Sequence, residues 1–221
     1  MPVSPVDFAS LLCSRLCHDL LSPVGALNNG LELLSDESDP AMRQRCMELL
    51  HESARTSANK LKFFRLAFGA AGGFGDLVDV REAQTAVEGL LADNKRTTLG
   101  WMVEDETLPK AAVKVLLNLA LIANDALVRG GTLDIGAESN GGLLEIVVKI
   151  EGPRIVLDPE LRATLTGGEQ PDGVTPRASG AFLVHALARE AGGAVQVSEP
   201  AEGVMIFGAA LNATALAPAQ G

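Results

Sequence analysis

The chain has 221 residues, 18 Lys and Arg against 28 Asp and Glu for a formal net charge of -10, three Cys, and 47% apolar residues. Such a chain buries a core, and its negative charge excludes a general binder of nucleic acid or anionic membrane, both of which reward a basic face. No run approaches the roughly 20 apolar residues of a membrane span, and Met1-Pro-Val-Ser-Pro-Val-Asp7 lacks a basic signal start, so a cytoplasmic protein is expected. Cys13, Cys17 and Cys46 are odd in number and confined to the first quarter, which fits small helix-packing residues rather than a disulfide framework.

Residues 6–34 carry Phe8, Leu11, Leu12, Leu16, Leu20, Leu21, Val24, Leu27, Leu31 and Leu34 at steps of three and four, which predicts one long helix. The polar turn Ser35 to Asp39 ends it, with Asp39 as cap and Pro40 opening a second helix that runs to about Phe68. Two helices of roughly 28 residues, each on the order of 40 Å long, form an antiparallel hairpin. One hairpin cannot shield its own apolar stripes, so pairing into a four-helix homodimer is expected. Gly69 to Gly75 reads as a linker between a hairpin domain, 1–69, and a second domain, 76–221.

Beyond it, helices are expected near Arg81 to Asp93, Pro109 to Val128, from Asp158-Pro159, and Gly180 to Ala191. Strands are expected at Thr97 to Glu104, Thr132 to Glu138, Leu143 to Ile150, Ala194 to Ser198 and Gly203 to Leu211, with an irregular stretch from Gly167 to Ser179 and a loose tail after Ala213. The alternation predicts helices layered on one face of a mixed sheet, and an α+β chain overall.

Charge is divided unevenly: residues 1–75 hold seven basic and eight acidic residues, and residues 76–221 hold eleven and twenty. No acidic residue lies between Ser53 and Gly75, so Arg55, Lys60, Lys62 and Arg65 form a basic stretch, which in isolation reads as a solvated helix face. His18 shares a helical face with Leu11, Ser14, Arg15, Leu21, Ser22 and Gly25, a strip short enough in side chain for a large partner to approach. Pro23 lacks the amide that would bond the Asp19 carbonyl, so the helix should bend or loosen one turn past His18. Neutral imidazole is a nucleophile near pH 7, and Asp19 beside it is suited to fix its tautomer or handle its proton. With the turn near Asp36-Glu37, residues whose numbers sum to about 73 face each other, which sets Arg55 beside His18, Ala58 beside Arg15 and His51 near Ser22. Arg15, Ser22, Arg55 and Lys60 are then the groups expected to support an anionic group brought to His18, and Leu11, Ser14, Leu21 and Gly25 those expected to meet a partner. Cys13, Cys17 and His18 do not form a metal site, because the two thiols share a face that His18 does not. His51 and His185 read as helix residues, Trp101 as a strand core residue, and no Gly-x-Ser-x-Gly elbow supports a hydrolase.

His18-Asp-Leu-Leu-Ser-Pro23, on the first helix of a hairpin, resembles the H-box of two-component histidine kinases. The resemblance implies that His18 accepts a phosphoryl group and Asp19 acts as its acid-base neighbour. Residues 76–221 are similar in element order to the Bergerat-type kinase domain, with Asn118 to Ala126 resembling the N-box helix, and Ser179 to Val184 with Ala191-Gly-Gly193 resembling the last glycine box. The nucleotide-binding positions depart from the pattern. Ile150-Glu-Gly152-Pro-Arg154 stands where that family has Asp-x-Gly-x-Gly, and the glycine-rich lid is reduced to Gly180, followed by the bulky Phe182. A His hairpin on such a domain resembles the bacterial histidine phosphotransferases built on a degenerate kinase, including those of sporulation and of alphaproteobacterial cell-cycle phosphorelays. The resemblance implies a dimeric transferase that binds no ATP and no metal of its own. It takes phosphoryl from the Mg²⁺-bound receiver of a hybrid kinase, CckA in that family, and passes it to the receivers of response regulators, CtrA and CpdR. Two alternatives remain open from sequence: an active ATP-dependent kinase, and a non-enzymatic dimeric scaffold for receivers.

Overall fold

The computed structural model describes residues 3–69, 76–92, 94, 96–170 and 173–216. Helix α1 spans Pro5–Asp36 and α2 spans Pro40–Ala67, packed antiparallel as a hairpin. Each begins on a residue that satisfies free amides of the first turn: Ser4 accepts from the Asp7 amide and Asp39 from the Ala41 amide, with proline at the first helical position. The turn between them is stitched by Arg43, whose Nη1 donates to the carbonyls of Leu34 and Glu37 at 2.9 and 2.8 Å. Most of the linker, residues 70–75, lies outside the described residues.

Next come β1 (Leu77–Asp79), α3 (Val80–Leu91), β2 (Thr97–Val103), β3 (Thr107–Pro109), α4 (Lys110–Ala126), β4 (Gly131–Asn140) and β5 (Leu143–Glu151). After these follow α5 (Pro159–Gly167), α6 (Ser179–Glu190), β6 (Ala194–Val197), β7 (Val204–Asn212) and the short α7 (Ala213–Leu216). The main sheet has the order β2-β4-β5-β7-β6, with β2 parallel to β4 and the other neighbours antiparallel. Gly141 and Gly142 sit at φ of 59 and 86° in the two-residue β4–β5 turn, a conformation glycine adopts without strain. Alternation decides which sheet face is covered: Leu144, Ile146, Val148 and Ile150 of β5 and Met205, Phe207, Ala209 and Leu211 of β7 are buried, while Val147 and Ile206 between them are exposed.

Helix α4 lies against that buried face and is itself covered by α2, α3 and α6, so nearly every residue from Ala112 to Ala123 is buried. Phe63, Phe64, Leu66 and Ala67 at the end of α2 belong to the same core cluster as the sheet residues. The hairpin is therefore seated on the α/β layer by its last two turns. Among the described helices none is long and apolar enough to cross a membrane.

The α+β architecture and the main elements agree with expectation. Two differences stand out. The β1–β3 ribbon was not expected, because three-residue strands carry too little alternation to register as a pattern. Ala213–Leu216 is a helical turn rather than a loose tail, started where the Asn212 side chain accepts from the Thr214 amide; residues 217–221 lie outside the described residues.

Lys114 is partly buried on α4, and loss of hydration, aided by the nearby Lys110 charge, holds its pKa below the usual lysine range. A lowered pKa on a base means that the folded state disfavours the charged form. Lys114→Met is thus expected to raise thermal stability at pH 7 by about 1 kcal/mol or less, the gain shrinking as pH rises through the lowered folded-state pKa and vanishing only above 10.5, where lysine becomes neutral in the unfolded chain as well. Melting curves at pH 7 and pH 10 check this, and a substitution that destabilises at both would contradict it.

Candidate phosphotransfer site

His18 lies near the middle of α1 with its side chain 85% exposed and Nδ1 3.1 Å from Asp19 Oδ1. The Asp19 carboxylate is held from the other side by Arg15, whose Nε donates to Oδ2 at 2.6 Å. An ionised carboxylate only accepts hydrogen bonds, so the pairing places the imidazole proton on Nδ1 and leaves a lone pair on Nε2. An exposed ring with a free Nε2 is a nucleophile ready for an electrophile that arrives from outside.

Helix α1 continues unbroken through Pro23, where a bend or loosening was expected. The carbonyl that Pro23 leaves without its helical donor is that of Asp19, and Lys60 of α2 supplies the missing donor, its Nζ lying 3.0 Å away. Lys60 thereby fastens the turn carrying Asp19 to the second helix.

The α/β layer comes to the same place. Ser14, Arg15, His18 and Asp19 of α1 share an open cavity of about 520 Å³ with Asp125 at the end of α4 and with Thr175, Pro176 and Arg177 before α6. Arg15 bridges the two sides, its Nη1 donating to the Arg177 carbonyl at 3.1 Å and its Nη2 lying 3.5 Å from Asp125 Oδ2. Arg177 is paired with Asp158 at 2.7 Å. Sequence reasoning missed Asp125, Thr175, Pro176 and Arg177, which lie more than a hundred residues from His18 and carry no local pattern tying them to it.

The expected site residues divide. Ser14 and Arg15 line the cavity, and Leu21, Ser22 and Gly25 stand beyond it on α1, with Leu21 and Ser22 exposed, Leu11 and Gly25 partly buried, and open space over the Gly25 position. Arg55 does not stand beside His18. Lys60 faces Asp19 and Leu50 faces Gly30, so the two helices are offset from the expected register by about six residues, roughly 9 Å along α2. The cause is at the closed end: the turn falls after Asp36, and Leu50 is seated over Gly30, where an added Cβ would come within 2.9 Å of Leu50 Cδ2. By the same offset Ala58 is not beside Arg15, and His51, next to Leu50, is level with Gly30 rather than Ser22.

The positions where a kinase would hold nucleotide do not fit one. Ile150 is fully buried in the sheet, and Gly152 is pressed to the Gly130 carbonyl, which a Cβ would approach to 2.5 Å. The Asn118 amide is spent on the carbonyls of Ala67 and Lys114 at 3.0 and 2.9 Å, and Gly180 is packed against its Oδ1. Phe182 stacks on Phe8 of α1 with ring centres 5.3 Å apart. Asn118, through the Ala67 carbonyl, and Phe182, through Phe8, join the hairpin to the α/β layer.

Comparison with known proteins identifies relatives that span nearly the whole chain. Residues 80–203 match the family described as histidine phosphotransferase C-terminal domain. The protein phosphotransferase ChpT of Brucella abortus (strain 2308) is 34% identical over 203 residues, covering 92% of this chain and 95% of the relative. A solved structure described as a bacterial phosphotransferase superposes with a TM-score of 0.83 at 32% identity, over 95% of this chain and 98% of that one. On its sequence, its fold and the extent of these matches, the chain belongs to the histidine phosphotransferase family.

Proposed function

We propose that His18 carries the phosphoryl group between receiver domains, taking it from the Asp-phosphate of one and giving it to the Asp of another, with no ATP and with Mg²⁺ supplied by the receiver. The observation that carries this reading is the exposed His18 ring, paired through Nδ1 to a fixed Asp19 so that Nε2 is free. In the forward step Nε2 attacks phosphorus in line, the bond to the aspartyl oxygen breaks, and the receiver carboxylate leaves; the Nδ1 proton stays shared with Asp19, which stabilises the cationic ring. The second transfer reverses these bonds on another receiver. The resemblance stated above points to the receivers of CckA, CtrA and CpdR as the relevant class, in the cytoplasm, with Leu11, Ser14, Leu21 and Gly25 at the contact.

The test is to incubate the protein with a radiolabelled phospho-receiver and, separately, with labelled ATP, and to map acid-labile label by peptide. Label at His18 from the receiver alone is expected. Label from ATP would restore the kinase, and none from either would leave a scaffold.

Lys60 and Arg55 separate under this reading. Lys60→Ala removes the donor to the Asp19 carbonyl and should slow transfer several-fold, about 5-fold, whereas Arg55→Ala should slow it less. Equal rates for the two variants would deny Lys60 its place.

We further infer a homodimer. Val24 and Leu31 of α1, and Met42 and Leu49 of α2, recur at heptad spacing and are 51, 58, 41 and 59% exposed in one chain, with Leu31 and Leu49 at the same level of the hairpin. A second hairpin covers such a stripe. Light scattering should give twice the 23.0 kDa chain mass, and Leu49→Glu should return a monomer. A wild type that stays at one chain mass at micromolar concentration would end the dimer reading.

A further inference from the structure

The Arg15 guanidinium is shared among three elements, and its side chain is only 16% exposed. Its Nε goes to Asp19 on its own helix, Nη1 to the Arg177 carbonyl before α6, and Nη2 to Asp125 in the last turn of α4. A guanidinium is a rigid planar fork, so fixing two of its nitrogens fixes the direction of the third. Both outer nitrogens are fixed by the α/β layer, and the third is the one that holds Asp19 Oδ2. The remaining oxygen, Oδ1, is then turned to the His18 Nδ1 proton.

We propose that Asp125 is a positioning residue for His18: it anchors Arg15, Arg15 orients Asp19, and Asp19 holds the imidazole in the tautomer with Nε2 free. The inference rests on the reading of His18 as the phosphoryl carrier. It assigns the α/β layer a task in the chemistry that does not involve a nucleotide.

The alternative geometry shows why the anchor matters. With Asp125 removed, the guanidinium is free to rotate and grip both oxygens of Asp19, the bidentate arrangement that arginine and a carboxylate favour. That grip takes Oδ1 from the imidazole. The proton then loses its partner on Nδ1, and the tautomer with the proton on Nε2, which is not a nucleophile at that atom, gains population. Asp125 is itself held in tension: loss of hydration raises its carboxyl pKa, Arg15 draws it back, Asp19 pushes it up and Arg177 draws it down. The net effect leaves its carboxyl pKa above the usual carboxylate range, with burial the largest cause, and Arg15 lies between it and Asp19.

The experiment compares wild type, Asp125→Ala, the isosteric Asp125→Asn, Asp125→Glu, and Arg15→Lys, which keeps the charge and loses the fork. Long-range ¹H–¹⁵N correlation in the resting protein reports which nitrogen of His18 bears the proton, and steady-state transfer from a phospho-receiver separates kcat from KM. Melting curves show which variants are folded and enter the comparison. Asp125→Ala, Asp125→Asn and Arg15→Lys are each expected to shift the tautomer away from Nδ1–H and lower kcat about tenfold with KM unchanged, and Asp125→Glu to recover most of the rate. A tautomer ratio unmoved in the folded variants, or a loss confined to KM, overturns the proposal and makes Asp125 structural or a contact residue. A wild type that takes no label at His18 instead sinks the reading of the site, and the tautomer measurement is still readable in that case.

Discussion

His18→Gln will take no label from a phosphorylated receiver, and Asp19→Asn will take it about 10² to 10⁴ times more slowly than the wild type. The first result follows from loss of the acceptor atom. The second follows from hydrogen-bond polarity. Asp19 Oδ1 accepts from His18 Nδ1 at 3.1 Å, and Arg15 holds Oδ2 at 2.6 Å. Arg15 only donates, so an amide at position 19 turns its oxygen to Arg15 and its NH₂ to the imidazole, which rewards the tautomer with the proton on Nε2. The charge that would stabilise the phosphorylated, cationic ring is lost with it. Rapid-quench transfer from a phospho-receiver, with melting curves for all variants, reads both effects. An Asp19→Asn rate within threefold of wild type would mean that Asp19 neither sets the tautomer nor stabilises the product.

Phe63→Ala will destabilise the whole chain by about 3 to 5 kcal/mol, although Phe63 is in the hairpin, 34 residues before the first strand of the main sheet and 47 before helix α4. Phe63 is fully buried, stands edge-on to Phe64 with ring centres 6.0 Å apart, and belongs to the core cluster that runs into α4 and the sheet. At about 2 to 4 °C per kcal/mol for a chain of this size, the melting point should fall by roughly 10 °C at fixed protein concentration. The sole tryptophan, Trp101, sits in β2, packed partly buried against that core, so its fluorescence reports the sheet, whereas far-UV circular dichroism is dominated by the long helices. The two probes should shift together. A Trp101 transition that stays in place while the helical signal moves would show that the hairpin and the α/β layer unfold separately.

The helices of the hairpin and the strands of the sheet were legible in the chain because each buries one regular face, and periods of 3.6 and 2 are written directly in the order of apolar residues. The boundaries Pro40, Asp158-Pro159 and Asp39 were legible for a different reason: the capping groups are neighbours in sequence of the amides they satisfy. His18 and Asp19 were legible in another way, through the resemblance of His18-Asp-Leu-Leu-Ser-Pro23 to the H-box, with a mid-helix proline that has no local purpose. The fate of the carbonyl released by Pro23 was not, since Lys60 reaches it only through the register of the hairpin. That register was misjudged by about six residues, because it depends on where the turn closes and on Leu50 seating over Gly30, contacts between side chains remote in sequence.

What the sequence determined by itself, then, is what local spacing sets, the hairpin and the mixed sheet under helices, together with two features that only the resemblance to histidine kinases singles out: the adjacent pair His18-Asp19 and the departure of residues 150–154 and 179–182 from that family's pattern. What only the tertiary structure decided is which distant groups surround that pair. Arg15 points to Asp125 and to the Arg177 carbonyl rather than to solvent, and Asn118 is turned to the end of α2. These meetings are products of the packing of α1 and α2 on the α/β layer. A charge or an amide in a sequence specifies what it can bond to, and the fold alone specifies which partner comes within 3 Å.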